Sequence, residues 1–302
     1  MKTIIGYINR YFYETDKGLL VLTSLFTALL IFFNYNYQID DQISDFEFFW
    51  SRFAARYGIY VLAFAIPYLF CMLLTKQQFF VHGRFNQLLL IAPAIFSLKA
   101  GLSFTWPLSA DAGMNHFWNI IVYWPFLLLL VGFILFFCWK IFDPHEPFYG
   151  TSTRQINWRP YGLMLLFMIP LVGAASLQTD FQLVYPKLNL VMDPGTGSPL
   201  SWWHKLVFEL SYGSDFIGIE LFFRGFLVLA FLKWAGKDAI LPMACFYCTI
   251  HFGKPLGECI SSYFGGILLG IVVANTKSIW GGLMVHLGIA WMMELAGYIS
   301  GK

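Results

Sequence analysis

Charge is what this chain has least of. Only 12% of its 302 residues are Asp, Glu, Lys or Arg, against 58% hydrophobic residues and a mean hydropathy of +0.64. A soluble domain carries roughly 25% charged residues, so this composition is that of a polytopic membrane protein. The formal net charge of +2 is too small to point to a nucleic-acid partner. Cysteine is scarce too: Cys71, Cys138, Cys245, Cys248 and Cys259 are odd in number and sit in or beside apolar runs, which argues against a disulfide framework. The sequence has no His-Glu-x-x-His, no Gly-x-Ser-x-Gly and no paired intramembrane aspartates, so zincin-type, serine and aspartyl mechanisms lack support. It has no internal repeat, which argues against a transporter built on inverted halves. The polar start, Met1 to Lys17, does not read as a cleaved signal.

What is present is a series of long apolar runs. A helix needs ~20 residues to cross the hydrocarbon, fewer where it packs inside a bundle. The expected fold is therefore all-α, a transmembrane bundle of about nine spans. They run over 18–35, 57–74, 85–106, 117–139, 161–177, 214–235, 239–252, 258–275 and 278–299. Residues 202–212 read as a short extra helix in the interface, with Trp202, Trp203 and His204 at headgroup level. Lysine and arginine alternate with acidic residues between successive loops. Lys2, Arg10, Lys17, Lys76, Arg84, Lys140, Arg154, Arg159, Lys233, Lys237 and Lys277 all fall on one side. Asp40, Asp41, Asp45, Glu47, Asp111, Asp180 and Asp193 fall on the other. This puts the N-terminus in the cytoplasm of a multi-pass cell-membrane protein. Between the fifth and sixth spans, the turn-rich run Asp193–Pro199 reads as a solvated connector or a substrate rim.

Ionisable groups at membrane depth cost about 2.5–3.5 kcal/mol each on insertion scales, and they mark function by default. The last third of the chain has four of them: Glu220, Arg224, His251 and His286. Glu220 and Arg224 are four residues apart, one helical face in an α-helix, amid Ile, Leu and Phe. Arg224 is expected to pair with Glu220 or a neighbouring carbonyl. A glutamate and two histidines on three neighbouring spans are groups that activate water. Imidazole accepts a proton near neutral pH or binds a metal, and a carboxylate takes a proton or completes a metal site. A divalent metal such as zinc, held by Glu220, His251 and His286, is one form such a site takes. The three side chains are expected to converge on one water or metal ion.

At these residues the chain resembles the intramembrane peptidases of the CPBP group, also called the Abi or type II CAAX prenyl endopeptidase family. Glu220-Leu-Phe-Phe-Arg224 matches the second Glu and the Arg of the Glu-Glu-x-x-x-Arg motif. Tyr247-Cys-Thr-Ile-His251 matches Phe-x-x-x-His with Tyr for Phe, and His286 opens the third motif. Gly265, Gly266 and Gly270 between them are also family-like, as is Ser278-Ile279-Trp280. The resemblance covers about 201–298. It implies an N-terminal scaffold or gate over 1–200 and a catalytic unit over 201–302. It also implies hydrolysis of a peptide bond in a membrane-associated protein or peptide. Two positions depart from the pattern. Ile219 stands for the leading Glu, and Ala290 for the Asn-type residue four after His286. A non-catalytic membrane binder, such as an immunity or assembly factor, is the alternative these departures favour. Glu294 shares a face with His286, and Cys245-x-x-Cys248-x-x-His251 invites a metal reading that buried thiols seldom fulfil.

Overall fold

A computed structural model describes residues 2–153, 156–191 and 200–300. The turn-rich run Asp193–Pro199 and Arg154 lie outside them. No β-strand occurs among the described residues, and the all-α expectation holds. The helices are α1 (Lys2–Glu14), α2 (Lys17–Tyr37), α3 (Ile39–Ser44), α4 (Phe49–Thr75), α5 (Gly83–Gly101), α6 (Ala112–Phe142) and α7 (Arg159–Ala175). They continue as α8 (Thr179–Val184), α9 (Trp202–Glu220), a π-helical segment (Leu221–Ala230), α10 (Leu232–Ala235), α11 (Ile240–Thr249), α12 (Leu256–Thr276) and α13 (Trp280–Ser300).

Five of these, α2, α4, α6, α12 and α13, are long and apolar enough to cross a membrane. Helix α2 shows the expected inside-out pattern. Val21, Leu25, Leu29 and Phe32 are exposed along one stripe, while Thr23, Thr27 and Asn34 are buried. In water such a stripe would be an interaction liability; in lipid it is the solvated face. Two of the buried polar groups find partners nearby. Thr27 donates to the Thr23 carbonyl, and Asn34 donates to the Phe252 carbonyl. The other expected spans are shorter or more polar. Helix α11 has only ten residues and every one of them is buried.

The chain forms two compact units, each drawn from both sides of residue 200. One unit comprises Met1–Leu102, Leu135–Gln155 and Leu221–Ile279. Its centre is a web of rings, with Tyr60, Phe64, Phe96, Phe222 and Phe223 around Phe246 and Tyr68, Phe85 and Phe231 beside it. Helices α11 and α12 approach closely because Gly266 faces Ala244, and Gly270 faces Ile240 and Met243. Gly265, beside them, has nothing within 4 Å of its Cβ position.

The second unit comprises Ser103–Ile134, Ile156–Glu220 and Trp280–Lys302. Its apolar core gathers Phe117, Ile121, Phe208, Tyr212, Phe216, Leu283 and Ala290. Helix α13 packs on α7 and α9. Residues 202–212 are not a separate interfacial helix. They form the first half of α9, because their apolar periodicity carries on without a breaker to Glu220.

Candidate functional site

In the second unit, α9 and α13 bring two of the expected residues together. Glu220 is fully buried, and its Oε1 lies 2.9 Å from Nδ1 of His286. A carboxylate can only accept, so His286 donates from Nδ1 and Nε2 becomes the acceptor nitrogen of the neutral ring. One turn before each partner sits a residue that supports the pair. Phe216 on α9 meets the His286 ring edge-on, centroids 4.7 Å apart. Gly282 on α13 lies so close that a Cβ there would come within 2.7 Å of Glu220 Oε2. Glu220 Oε2 therefore sits where it does because residue 282 has no side chain. Sequence reasoning placed neither Phe216 nor Gly282 at the site. The signal for both was the four-residue spacing to Glu220 and His286.

The other two expected residues meet in the first unit. The stretch after Glu220 is π-helical rather than α-helical, so the one-face argument built on α-helical spacing does not carry across it. Long π segments are rare and recur at functional sites. Arg224 is 1% exposed, and its guanidinium carbon stands 3.9 Å from the Tyr247 ring centroid. This cation–π partner was not among those the sequence reading named. The same tyrosine holds His251. Its ring meets the imidazole edge-on at 4.7 Å, and its carbonyl accepts from His251 Nδ1 at 2.9 Å. Because a carbonyl only accepts, His251 also has its proton on Nδ1. A desolvated cation–π contact is worth about 2 kcal/mol. Arg224→Ala should therefore lower the thermal midpoint and the yield of extracted protein. Unchanged thermal midpoint and yield would show that this contact does not stabilise the fold.

Glu294 has a structural task. It is buried and accepts from the backbone N–H of Lys187 at 2.7 Å and of Leu188 at 3.2 Å. It thereby fixes the 3-10 turn Lys187–Leu190 against α13. Glu209 lies beside it on the early part of α9, outside the five apolar helices. Burial first, and then the Glu294 charge, push the Glu209 carboxyl up from 4.5 to about 7. The folded protein thus holds this proton more tightly than the unfolded chain does between those values. Its stabilising contribution is full below pH 4.5 and is lost as pH rises through about 7. Glu209→Gln should raise the thermal midpoint above pH 7 and leave it unchanged near pH 4.5. An equal gain at both pH values would contradict the assignment.

A catalytic zinc takes three protein donors. Among the described residues no group of three or more His, Cys, Asp or Glu side chains is placed to hold a metal ion. Glu220 and His286 supply two donors, and a third is not grouped with them. The thiols do not add one: Cys248 Sγ faces Cys259 Sγ at 3.7 Å, and all five cysteines are free.

Comparison with known families gives a match over residues 203–292, to the family described as type II CAAX prenyl endopeptidase Rce1-like. The match takes in Glu220, Arg224, Tyr247, His251 and His286, and both variant positions, Ile219 and Ala290. No curated protein and no solved structure gives a significant match. In the Rce1-like region the structure puts Ala290 in the apolar cluster with Phe208, Phe216 and Leu283. That position contributes packing and no polar group.

Proposed function

We propose that the chain is an intramembrane endopeptidase of the cell membrane, with its N-terminus in the cytoplasm, hydrolysing a peptide bond in a membrane-associated protein or peptide. The observation that carries this reading is the buried Glu220–His286 pair inside the Rce1-like region. A carboxylate behind an imidazole fixes its tautomer and stabilises the imidazolium that forms when the ring takes a proton. His286 Nε2 takes the proton of the attacking water, and the hydroxide oxygen bonds to the scissile carbonyl carbon. The C–N bond then breaks, and His286 returns the proton to the leaving amine. The products are a carboxylic acid and an amine, which exchange a proton to give a carboxylate and an ammonium group. Sequence reasoning gave the base's role to Glu220; the 2.9 Å contact favours His286 as the proton acceptor with Glu220 behind it.

The family pattern gives help in activating water to the first histidine, His251, and the oxyanion to the later one, His286. The Glu220 contact instead favours His286 as the proton acceptor. Arg224 holds Tyr247, on which His251 rests. The grouped donors do not fit a three-ligand metal site, and no step is routed through a metal. A prenylated substrate is not implied. The second reading, a membrane binder without activity, is favoured by Ala290, whose apolar setting has no oxyanion donor. The two readings part in proteoliposomes containing the purified protein and candidate membrane peptides, with new N-termini mapped by mass spectrometry. New termini that vanish in Glu220→Gln support the enzyme. Their absence with the wild type across substrates that bind it supports the binder.

A further inference from the structure

The first unit has a cavity of about 180 Å³ that the proposed reaction does not use. It is lined by Tyr7, Arg10 and Tyr11 from α1, by Lys237, and by Ala274 and Asn275 from the last turn of α12, among others. Its level in the bilayer follows from chain connectivity. Helix α1 ends at Glu14, and the apolar helix α2 begins at Lys17. Helix α12, also long and apolar enough to span, ends at Thr276. One span starts and another stops beside the cavity, so it opens where lipid headgroups lie.

Helix α1 is built for that level. It buries Ile4 and Tyr11 against the unit and leaves Ile5, Phe12 and Tyr13 exposed. Such a helix lies in the interface plane with aromatic residues at headgroup depth. The cavity itself is two-natured. Tyr11 and Ile240 are buried and give it an apolar floor, while Arg10 and Lys237 bring two positive charges to its rim. Glu14 opposes them, 3.7 Å from Arg10, and the buried Asp238 lies near Tyr11.

We propose that this cavity binds the headgroup of an anionic phospholipid. Arg10 and Lys237 take the phosphate, and the apolar floor takes the glycerol and first methylenes. A guanidinium binds phosphate oxygens in a fork, and a lysine binds them as a point charge. The lipid would tie α1 to the ends of the spans beside it. Glu14 competes with the phosphate for Arg10.

The test uses the full chain in nanodiscs of phosphatidylcholine with and without phosphatidylglycerol. Lipids retained after extraction are counted by native mass spectrometry. Wild type should retain phosphatidylglycerol in preference to phosphatidylcholine. Arg10→Gln and Lys237→Gln should each reduce retention about fivefold, the weight of one basic side chain at an anionic surface. Glu14→Gln should increase it, and Arg84→Gln, on an exposed arginine outside the cavity, should leave it unchanged. Arg10, Glu14 and Arg84 are exposed and Lys237 is half-buried, and the thermal midpoint without anionic lipid checks that each variant folds. Equal retention by the Arg10→Gln/Lys237→Gln double variant overturns the proposal. So does equal retention of phosphatidylcholine. Inorganic phosphate that raises the thermal midpoint as much as phosphatidylglycerol does would mark a small-anion site and overturn the lipid assignment.

Discussion

Glu220→Gln is expected to reduce peptide hydrolysis by about 10⁴-fold, the loss seen when the carboxylate behind a catalytic imidazole becomes an amide. The change removes one charge and almost no volume. Glutamine can still accept from His286 Nδ1, but it can equally donate to it and so admit the wrong tautomer. It also offers no charge to balance the imidazolium. The carboxylate is fully buried, and removing a buried charge relieves desolvation. Thermal stability should therefore hold while turnover fails. His286→Gln should cost as much, and the double variant little more, because residues acting as a unit are not additive. Additive losses would mean the two groups act separately. Both quantities are read from initial rates and melting curves of the same preparations.

The adjacent glycines of α13 should divide stability from activity. At Gly281 an added Cβ would clash with the Cζ edge of the Tyr161 ring, far inside van der Waals contact. Tyr161 is itself buried and its ring has little room to swing away. Gly281→Ala should thus destabilise the fold at the high end of overpacking, about 3 kcal/mol. At Gly282 the added Cβ meets only the carboxylate end of Glu220, at 2.7 Å. That end can shift by a few tenths of an ångström at small cost to the fold, but the shift acts on the 2.9 Å contact with His286. Misplacement on the scale of 1 Å costs about 10²-fold in rate. Gly282→Ala should lower kcat with KM nearly unchanged and the melting temperature close to wild type. A reversed pattern, with Gly282→Ala unfolded and Gly281→Ala active, would contradict the packing described.

The helical class and the polar groups at depth were legible because composition and burial cost leave a strong mark on a membrane sequence. Val21, Leu25, Leu29 and Phe32 on α2 repeat along one face, and such a period survives any detail of packing. Motif order in the sequence grouped Glu220, His251 and His286, all expensive in lipid, and of that group the structure shows Glu220 and His286 in contact. Three features were not legible. The π-helical turn after Glu220 has no composition of its own; Leu, Phe and Val there would suit an α-helix equally. The partner of Arg224 is a tyrosine face, which sequence spacing does not single out among 59 other aromatic residues. Glu294 looked like a candidate for the site because it shares a face with His286. Its backbone partners, Lys187 and Leu188, are more than 100 residues away along the chain, and only the tertiary fold brings them there.

Ile219 and Ala290 bear on the same question from the other side. Glu220, and not the residue before it, is the carboxylate that reaches His286, and a single carboxylate suffices for the pair. The departure at 219 therefore leaves the Glu220–His286 contact intact. The departure at 290 removes a polar group from a position that packs among aromatic rings.

The most direct test is cleavage in water enriched in ¹⁸O. Membranes bearing the wild-type chain should release peptides whose new C-terminal carboxylate has gained one ¹⁸O, and membranes bearing Glu220→Gln should release none. Cleavage at equal rates in both membranes, or new termini without the label, would contradict water activation by the Glu220–His286 pair.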